Sequence, residues 1–446
     1  MKNRLVKLLR SPTLKVMILT FVGMLLGLLA DILIAAKLGT SITADALIIG
    51  LSLPRISDIV WREGTRFSLV PLFLEYKVKA NEQEYNRFVS GIVNLSLVVG
   101  LVIALVLAIF APIIVIALAP GFSSEGRREA AFLLQASAPM ALFAPPIAVL
   151  SVVLNSQKRF SVVALRNAAA PAVVVAAIAF AWNFNNISLW VALAYSVGFG
   201  AFFVMVFIDA FKAGHQHQWK AWVSKEDLSG LWEAGFLPTF GFILRQAANL
   251  IRSQLLPSLV GVGGVSMLYF AMRVVSAAQT LLGISIATTS LPAMTEDDLA
   301  GKKSRLGSAL RRNLKSALLI TVPATLFIAL FNQQIIEGLY GRGSFGEASI
   351  QQTSDVFLWF GMGLVFACII PLLEGGLYAQ RKYLLLFYTM VSMSFVGVFM
   401  SWLFLQWQGL AGIAMGASLM LVINVGVILY FLEKTGVSLF AKFNAK

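Results

Sequence analysis

Apolar runs long enough to cross the hydrocarbon core of a bilayer, about 20 residues each, recur along the whole chain with short polar segments between them. Twelve can be read, at roughly 16–36, 44–75, 90–118, 130–155, 161–182, 187–209, 229–257, 264–291, 313–332, 352–378, 383–405 and 409–431. The longest polar interruption, Lys212 to Gly230, separates six runs from the next six. The pattern predicts an all-α polytopic membrane protein of about twelve transmembrane helices in two six-helix lobes around a central cavity. The lobes fall at 1–215 and 229–446, with a cytoplasmic connector at 216–228. Duplicated halves packed around a central site are a common transporter plan.

The connector carries its own signals. Ser224 and Asp227 have the spacing of a capping box that starts a helix, and Trp219, Trp222 and Trp232 suit a membrane–water interface. His215 and His217, the two histidines of the chain, lie here without a cysteine or other organised ligands. A solvated loop is expected there, and no metal site.

The second run departs from an ordinary apolar helix. It carries Arg55, Asp58, Arg62, Glu63 and Arg66, and the run before it carries Asp31. A charge at the centre of a membrane helix costs about 3 kcal/mol even on mild scales. At about 100° per residue, Arg55, Arg62 and Arg66 fall within about 40° of one another and form a cationic stripe. Asp58 is placed to pair with Arg55 or Arg62, and Glu63 to meet a different helix. Such a stripe faces protein or water, not lipid tails. It can serve as a set of structural ion pairs or as a site.

Composition agrees with a membrane protein: 59% of residues are hydrophobic and 13% charged. Soluble domains hold about 25% charged residues. The surplus of Lys and Arg points to topology and not to nucleic acid. With the N-terminus in the cytoplasm, 25 of the 35 Lys and Arg fall in cytoplasmic segments, and the opposite loops hold only Lys37, Arg127, Arg128 and Arg342. This bias fits both termini inside. The six left within runs are all arginine: Arg55, Arg62, Arg66, Arg245, Arg252 and Arg273. Arginine stays charged in any setting and its forked donors match phosphate. In-run acids, chiefly Asp31, Asp58, Glu63 and Glu374, are fewer, so the interior favours an anionic guest. No nucleotide-binding loop, metal-ligand cluster or soluble catalytic region is evident, and the single cysteine, Cys368, excludes an internal disulfide. A transporter without cofactor is expected, not an enzyme, driven by an ion gradient, the membrane potential or mass action.

Three ordered stretches carry a family resemblance. The first is GLLADILIAAKLG from Gly27, with TADAL, Leu53–Pro54, Glu63–Gly64, Val70–Pro71 and Glu75–Tyr76 after it. LYFAMRVVSAAQTLLGISIATTSLP, from Leu268 to Pro292, is the second, and LYGRGSF at Leu339–Phe345 with LYAQRK at Leu377–Lys382 is the third. Together they resemble the lipid II flippase family, within the multidrug/oligosaccharidyl-lipid/polysaccharide exporter superfamily. The resemblance implies two lobes forming a V-shaped cavity in the bacterial inner membrane, alternating access, and outward transfer of a polyprenyl-diphosphate-linked glycan, lipid II or a related cell-envelope intermediate. Asp31 matches the acid of the family's first-helix Arg-Asp pair, and Arg273 the arginine of its eighth-helix motif. Ala30 and Met272 stand where the family usually has Arg and Asp. The expected substrate-binding residues are Arg55, Arg62, Arg66, Arg245, Arg252 and Arg273, with Asp31 orienting one of them. The rival readings are a cation or multidrug antiporter of the same superfamily and a non-transporting membrane scaffold.

Overall fold

The structure, a computed structural model, describes residues 12–79, 81–284 and 303–437. Among them there is no strand, and eight helical stretches are long and apolar enough to span a membrane. The chain is an all-helical, multi-pass membrane protein. The helices are α1 (Pro12–Leu38), α2 (Ile42–Lys79), α3 (Glu82–Ile109), α4 (Ala111–Leu118), α5 (Ser124–Ser137), α6 (Pro139–Ser156), α7 (Phe160–Ala164), α8 (Arg166–Ala181), α9 (Ile187–Lys212) and α10 (Lys225–Leu250). There follow a π-helical turn at Ile251–Leu255, then α11 (Gly264–Gln279), α12 (Lys303–Tyr340), α13 (Glu347–Met362), α14 (Leu364–Ala379) and α15 (Tyr383–Lys434). Two compact units divide the chain, Met1–Gln246 and Ala247–Lys446.

Several runs that read as single spans are broken in the structure. The run at 90–118 turns at Phe110, which ends α3 and opens α4 with Pro112 in its first turn. Proline is tolerated there because its missing N–H would find no helical partner. Conversely, 383–405 and 409–431 form one continuous stretch, α15, that reverses at Gly409 (φ +56, ψ −134). Ser401 donates to the Ile413 carbonyl at 3.1 Å, and a Cβ on Gly416 would lie 2.5 Å from the Met400 backbone. The halves are thus an antiparallel hairpin whose turn needs a left-handed residue. The tail of the eighth run, 285–292, lies outside the described residues.

In the first unit, α2, α3, α6 and α9 share a core of Leu69, Phe73, Phe88, Val93, Leu150 and Val206. Phe73 meets Phe88 edge-on at 5.3 Å, and Tyr76 stacks on Phe88 at 3.9 Å. Lipid tails are as apolar as these side chains, so fit between surfaces holds membrane helices together, not expulsion of water. Gly100 shows the consequence: a Cβ there would sit 2.3 Å from the Leu142 carbonyl oxygen. In the second unit Leu306, Leu310, Leu373, Leu377, Ile428 and Leu432 join α12, α14 and α15. Phe270 of α11 packs against Tyr340 at 5.0 Å and Phe345 at 5.8 Å, so the second and third motifs of the family resemblance meet in one buried aromatic cluster.

The connector corrects the expectation of a solvated loop. Asn86, Ser90 and Asn94 lie one helical turn apart on α3 and face it. Asn94 Nδ2 donates to the carbonyls of Gln218, Trp219 and Ala221 at 3.2, 3.1 and 2.9 Å. Gln218 N–H donates to Ser90 at 2.9 Å, and Gln216 N–H to Asn86 Oδ1 at 3.2 Å. His215, only 3% exposed, bonds Asn86 Oδ1 through Nδ1 at 3.0 Å. His217 Nε2 bonds Asn94 Oδ1 at 3.1 Å. Both Asn oxygens are acceptors, so both imidazoles donate and leave their other nitrogen bare. Trp219 and Trp222 remain 69% and 60% exposed, as an interfacial position requires. One arm of the expected capping box forms: Asp227 N–H donates to Ser224 Oγ at 3.0 Å, while the Asp227 carboxylate accepts from the Ser224 hydroxyl at 2.7 Å.

Burial, with His217 beside it, pushes the His215 imidazole from 6.5 down to about 4. An undocked connector takes up a proton near 6.5 and the docked one resists it to about 4, so docking is fully stable above 6.5 and weakens as the pH falls across that window. Hydrogen exchange of the Gln216 and Gln218 amides should therefore accelerate from pH 7 to pH 5 beyond its intrinsic pH dependence. Asn94→Ala should give the same loss of protection at pH 7, costing about 1–3 kcal/mol.

Candidate functional site

Helix α2 carries a large group of in-span charges and runs unbroken to Lys79 although Pro54 directly precedes Arg55 and Pro71 lies further on. Arg55 lies with its guanidinium 4.6 Å from the ring centre of Tyr195 on α9. The negative face of an aromatic ring solvates a cation without cancelling its charge. Arg62 pairs at 3.3 Å with Glu63, its own neighbour in the chain, and not through Asp58. That pair is 41% and 26% exposed, so solvent weakens it. Glu63, expected to meet a different helix, makes this local ion pair among its interactions. Arg66 lies on α2, and its side chain is outside the described set.

Asp58 corrects the sequence reading more sharply. Its carboxylate binds neither Arg55 nor Arg62 but Arg166 Nη2, contributed by the first residue of α8. The side chains of Arg166 and Asp58 are only 9% and 12% exposed. The structure places Arg166 in a buried ion pair. It reaches that position because the chain breaks between α7 and α8 at Leu165. Breaking a buried pair by removing one partner is costly, since the other charge is left without compensation.

Asp31 is 1% exposed, and Ala30 beside it is fully buried. Arg245 lies 4.6 Å over Phe242, one turn back on α10. Arg252 sits on the π-helical turn and donates to Asn249 Oδ1. Its Nε is buried without a hydrogen-bond partner. Gly397 makes room for this guanidinium: a Cβ there would stand 2.9 Å from Arg252 Nη1. Single π-turns inside α-helices concentrate at functional sites, and a second one, Thr280–Ile284, follows Arg273 in α11. Arg273 is half-buried and Met272 is 37% exposed. No group of three or more His, Cys, Asp or Glu able to hold a metal occurs among the described residues.

Sequence reasoning missed Arg166 and Tyr195. Arg166 had a signal, since it lies inside the expected run 161–182; Tyr195 had none beyond being a lone aromatic hydroxyl in an apolar run. Together these elements define a polytopic membrane protein whose helices bury arginines on rings, amides and one carboxylate.

The family model for "Lipid II flippase MurJ" matches residues 34–445. The chain belongs to that family. A probable lipid II flippase MurJ of Rickettsia prowazekii is 26% identical over 373 residues, covering 81% of this chain and 71% of that one. The lipid II flippase MurJ of Burkholderia cenocepacia is 23% identical over 433 residues, covering 94% and 82%. Among solved structures, a lipid II flippase MurJ in an inward closed conformation superposes with a TM-score of 0.82 at 22% identity, covering 94% and 87%. An inward-facing multidrug resistance MATE transporter superposes at 0.78 and 15% identity, covering 95% and 96%. The structural likenesses establish the fold.

Replacing Tyr195 by Leu keeps an apolar contact and removes the ring face beneath Arg55. It should lower stability by about 0.5–2 kcal/mol, read as a drop in melting temperature of the detergent-solubilised protein, whereas Tyr195→Phe should not.

Proposed function

We propose that this protein moves a polyprenyl-diphosphate-linked glycan precursor, lipid II or a close cell-envelope relative, from the cytoplasmic to the periplasmic leaflet of a bacterial inner membrane by alternating access, with both termini in the cytoplasm. Membership of the MurJ family over nearly the whole chain carries the reading. The choice of arginine at the in-span positions 55, 62, 66, 245, 252 and 273 supports it, because a forked, permanently charged donor suits diphosphate. Arg55, Arg62, Arg66, Arg245, Arg252 and Arg273 supply the guanidinium groups that hold the headgroup, and Asp31 orients one of them. Arg245 and Arg252 support this role best: a ring and an amide solvate them and leave their positive charge for the substrate. The family match favours neither a cation antiporter nor a scaffold.

The diphosphate carries about two negative charges, and each moved outward through an inside-negative potential of 100 mV gains about 2.3 kcal/mol. An inside-negative potential thus drives the anion outward, so translocation of lipid II in vesicles of the purified protein should accelerate when a potential negative on the side of departure is imposed. Arg273→Ala, with a melting temperature like the parent, should slow it at least about tenfold, as expected for loss of one charge-assisted contact. Transfer indifferent both to the potential and to Arg273→Ala would overturn the reading.

A further inference from the structure

The Asp58–Arg166 pair has a chemical peculiarity. A guanidinium offers five N–H donors in a rigid fork, and a structural ion pair buried this deeply normally has all its donors met. Here Asp58 occupies Nη2, while Arg166 Nε is buried without a partner. The carboxylate therefore leaves part of the guanidinium edge unused. Asp58 also stands among cations on α2, with Arg55 three residues before it and Arg62 four after, all within about 60° around the helix. One small acid thus holds Arg166 from a helix face that it shares with Arg55 and Arg62, and Arg62 has a half-exposed local partner in Glu63.

We infer that Asp58 is an internal stand-in for the substrate's phosphate: it holds Arg166 while the carrier is empty and gives that guanidinium up to the diphosphate when the carrier is loaded. Arg166 is then a further substrate-binding residue, and Asp58 a positioning residue that competes with the ligand and promotes its release. The inference rests on the function proposed above. A diphosphate brings more oxygens and more charge than a carboxylate, enough to meet Nη2 and Nε together. The displaced Asp58 remains beside Arg55 and Arg62, so its own charge is not stranded in oil.

The test is a binding titration of the full-length, detergent-solubilised protein with a polyprenyl diphosphate, followed by native mass spectrometry, with melting temperature recorded for each variant. Asp58→Asn keeps an acceptor for Arg166 but removes the competing charge, so it should bind about tenfold tighter and turn over more slowly in vesicles. Arg166→Lys keeps the ion pair but loses the fork and Nε; it should bind about tenfold more weakly at a parental melting temperature. Inorganic pyrophosphate should rank the variants in the same order, because the guanidinium reads the diphosphate and not the tail. A folded Asp58→Asn protein that binds no tighter, or Arg166→Lys with unchanged affinity, would reduce the pair to a structural clamp. If Asp58→Asn does not fold, the Arg166→Lys result decides alone. An ordering seen with the lipid and not with pyrophosphate would assign the effect to the tail and overturn the inference. A parent protein that binds no polyprenyl diphosphate would instead overturn the proposed function, and this inference with it.

Discussion

A permanent positive charge inside a hydrocarbon slab must be solvated by the protein, because nothing else there can do it. Among in-span and buried arginines the protein uses three kinds of partner. Arg55 and Arg245 have ring faces at 4.6 Å, Arg252 has the amide of Asn249, and Arg166 has the carboxylate of Asp58. The choice matters because only the carboxylate neutralises. A ring or an amide lowers the cost of burying a cation and leaves its field in place. Side chains of that kind are suited to hold an anion that comes and goes; an arginine paired with its own acid is suited to it only when the acid lets go.

The same absence of water dictates how the helices are held. Without a hydrophobic drive between helices, contact has to come from close fit and from hydrogen bonds. Gly100 admits the backbone of α6 where a methyl group would strike a carbonyl, and Gly409 lets α15 fold back on itself so that Ser401 reaches Ile413. Where the chain leaves the membrane the solution changes. The connector is fastened to α3 by the polar groups of Asn86, Ser90 and Asn94, one per turn, and burial in that docking disfavours protonation of its two histidines.

How far these features are legible in sequence follows from the range of the interaction. Apolar runs of membrane-spanning length and the Ser224–Asp227 cap are local patterns, and the structure contains them. The order of the family motifs is also visible, although nothing local says that Phe270 and Phe345 will touch. The partner of Asp58 is not visible: helical periodicity ranks Arg55 and Arg62 as its neighbours, and the residue that binds it is 108 positions away. Long-range pairing of this kind depends on where the break at Leu165 sets the first residue of α8. The histidines show the complementary error. A polar, interrupted sequence reads as solvated because its burial is supplied by a distant helix face.

Fold alone does not decide what such a protein carries. Nearly the same backbone arrangement is shared with a multidrug transporter at a TM-score of 0.78 and with a lipid II flippase at 0.82, a difference too small to separate an organic cation from a lipid-linked diphosphate. What separates them is the sign and chemistry of the side chains turned inward, since a site is grafted on a fold and not given by it. In this chain arginines at positions 55, 62, 66, 166, 245, 252 and 273 lie within the spans. Burial at Asp58 and Arg166 shows that even an acid in that setting is engaged by a guanidinium, and is not held in reserve for a cation. The argument for an anionic cargo therefore lies in the partners of the arginines, and the family supplies which anion.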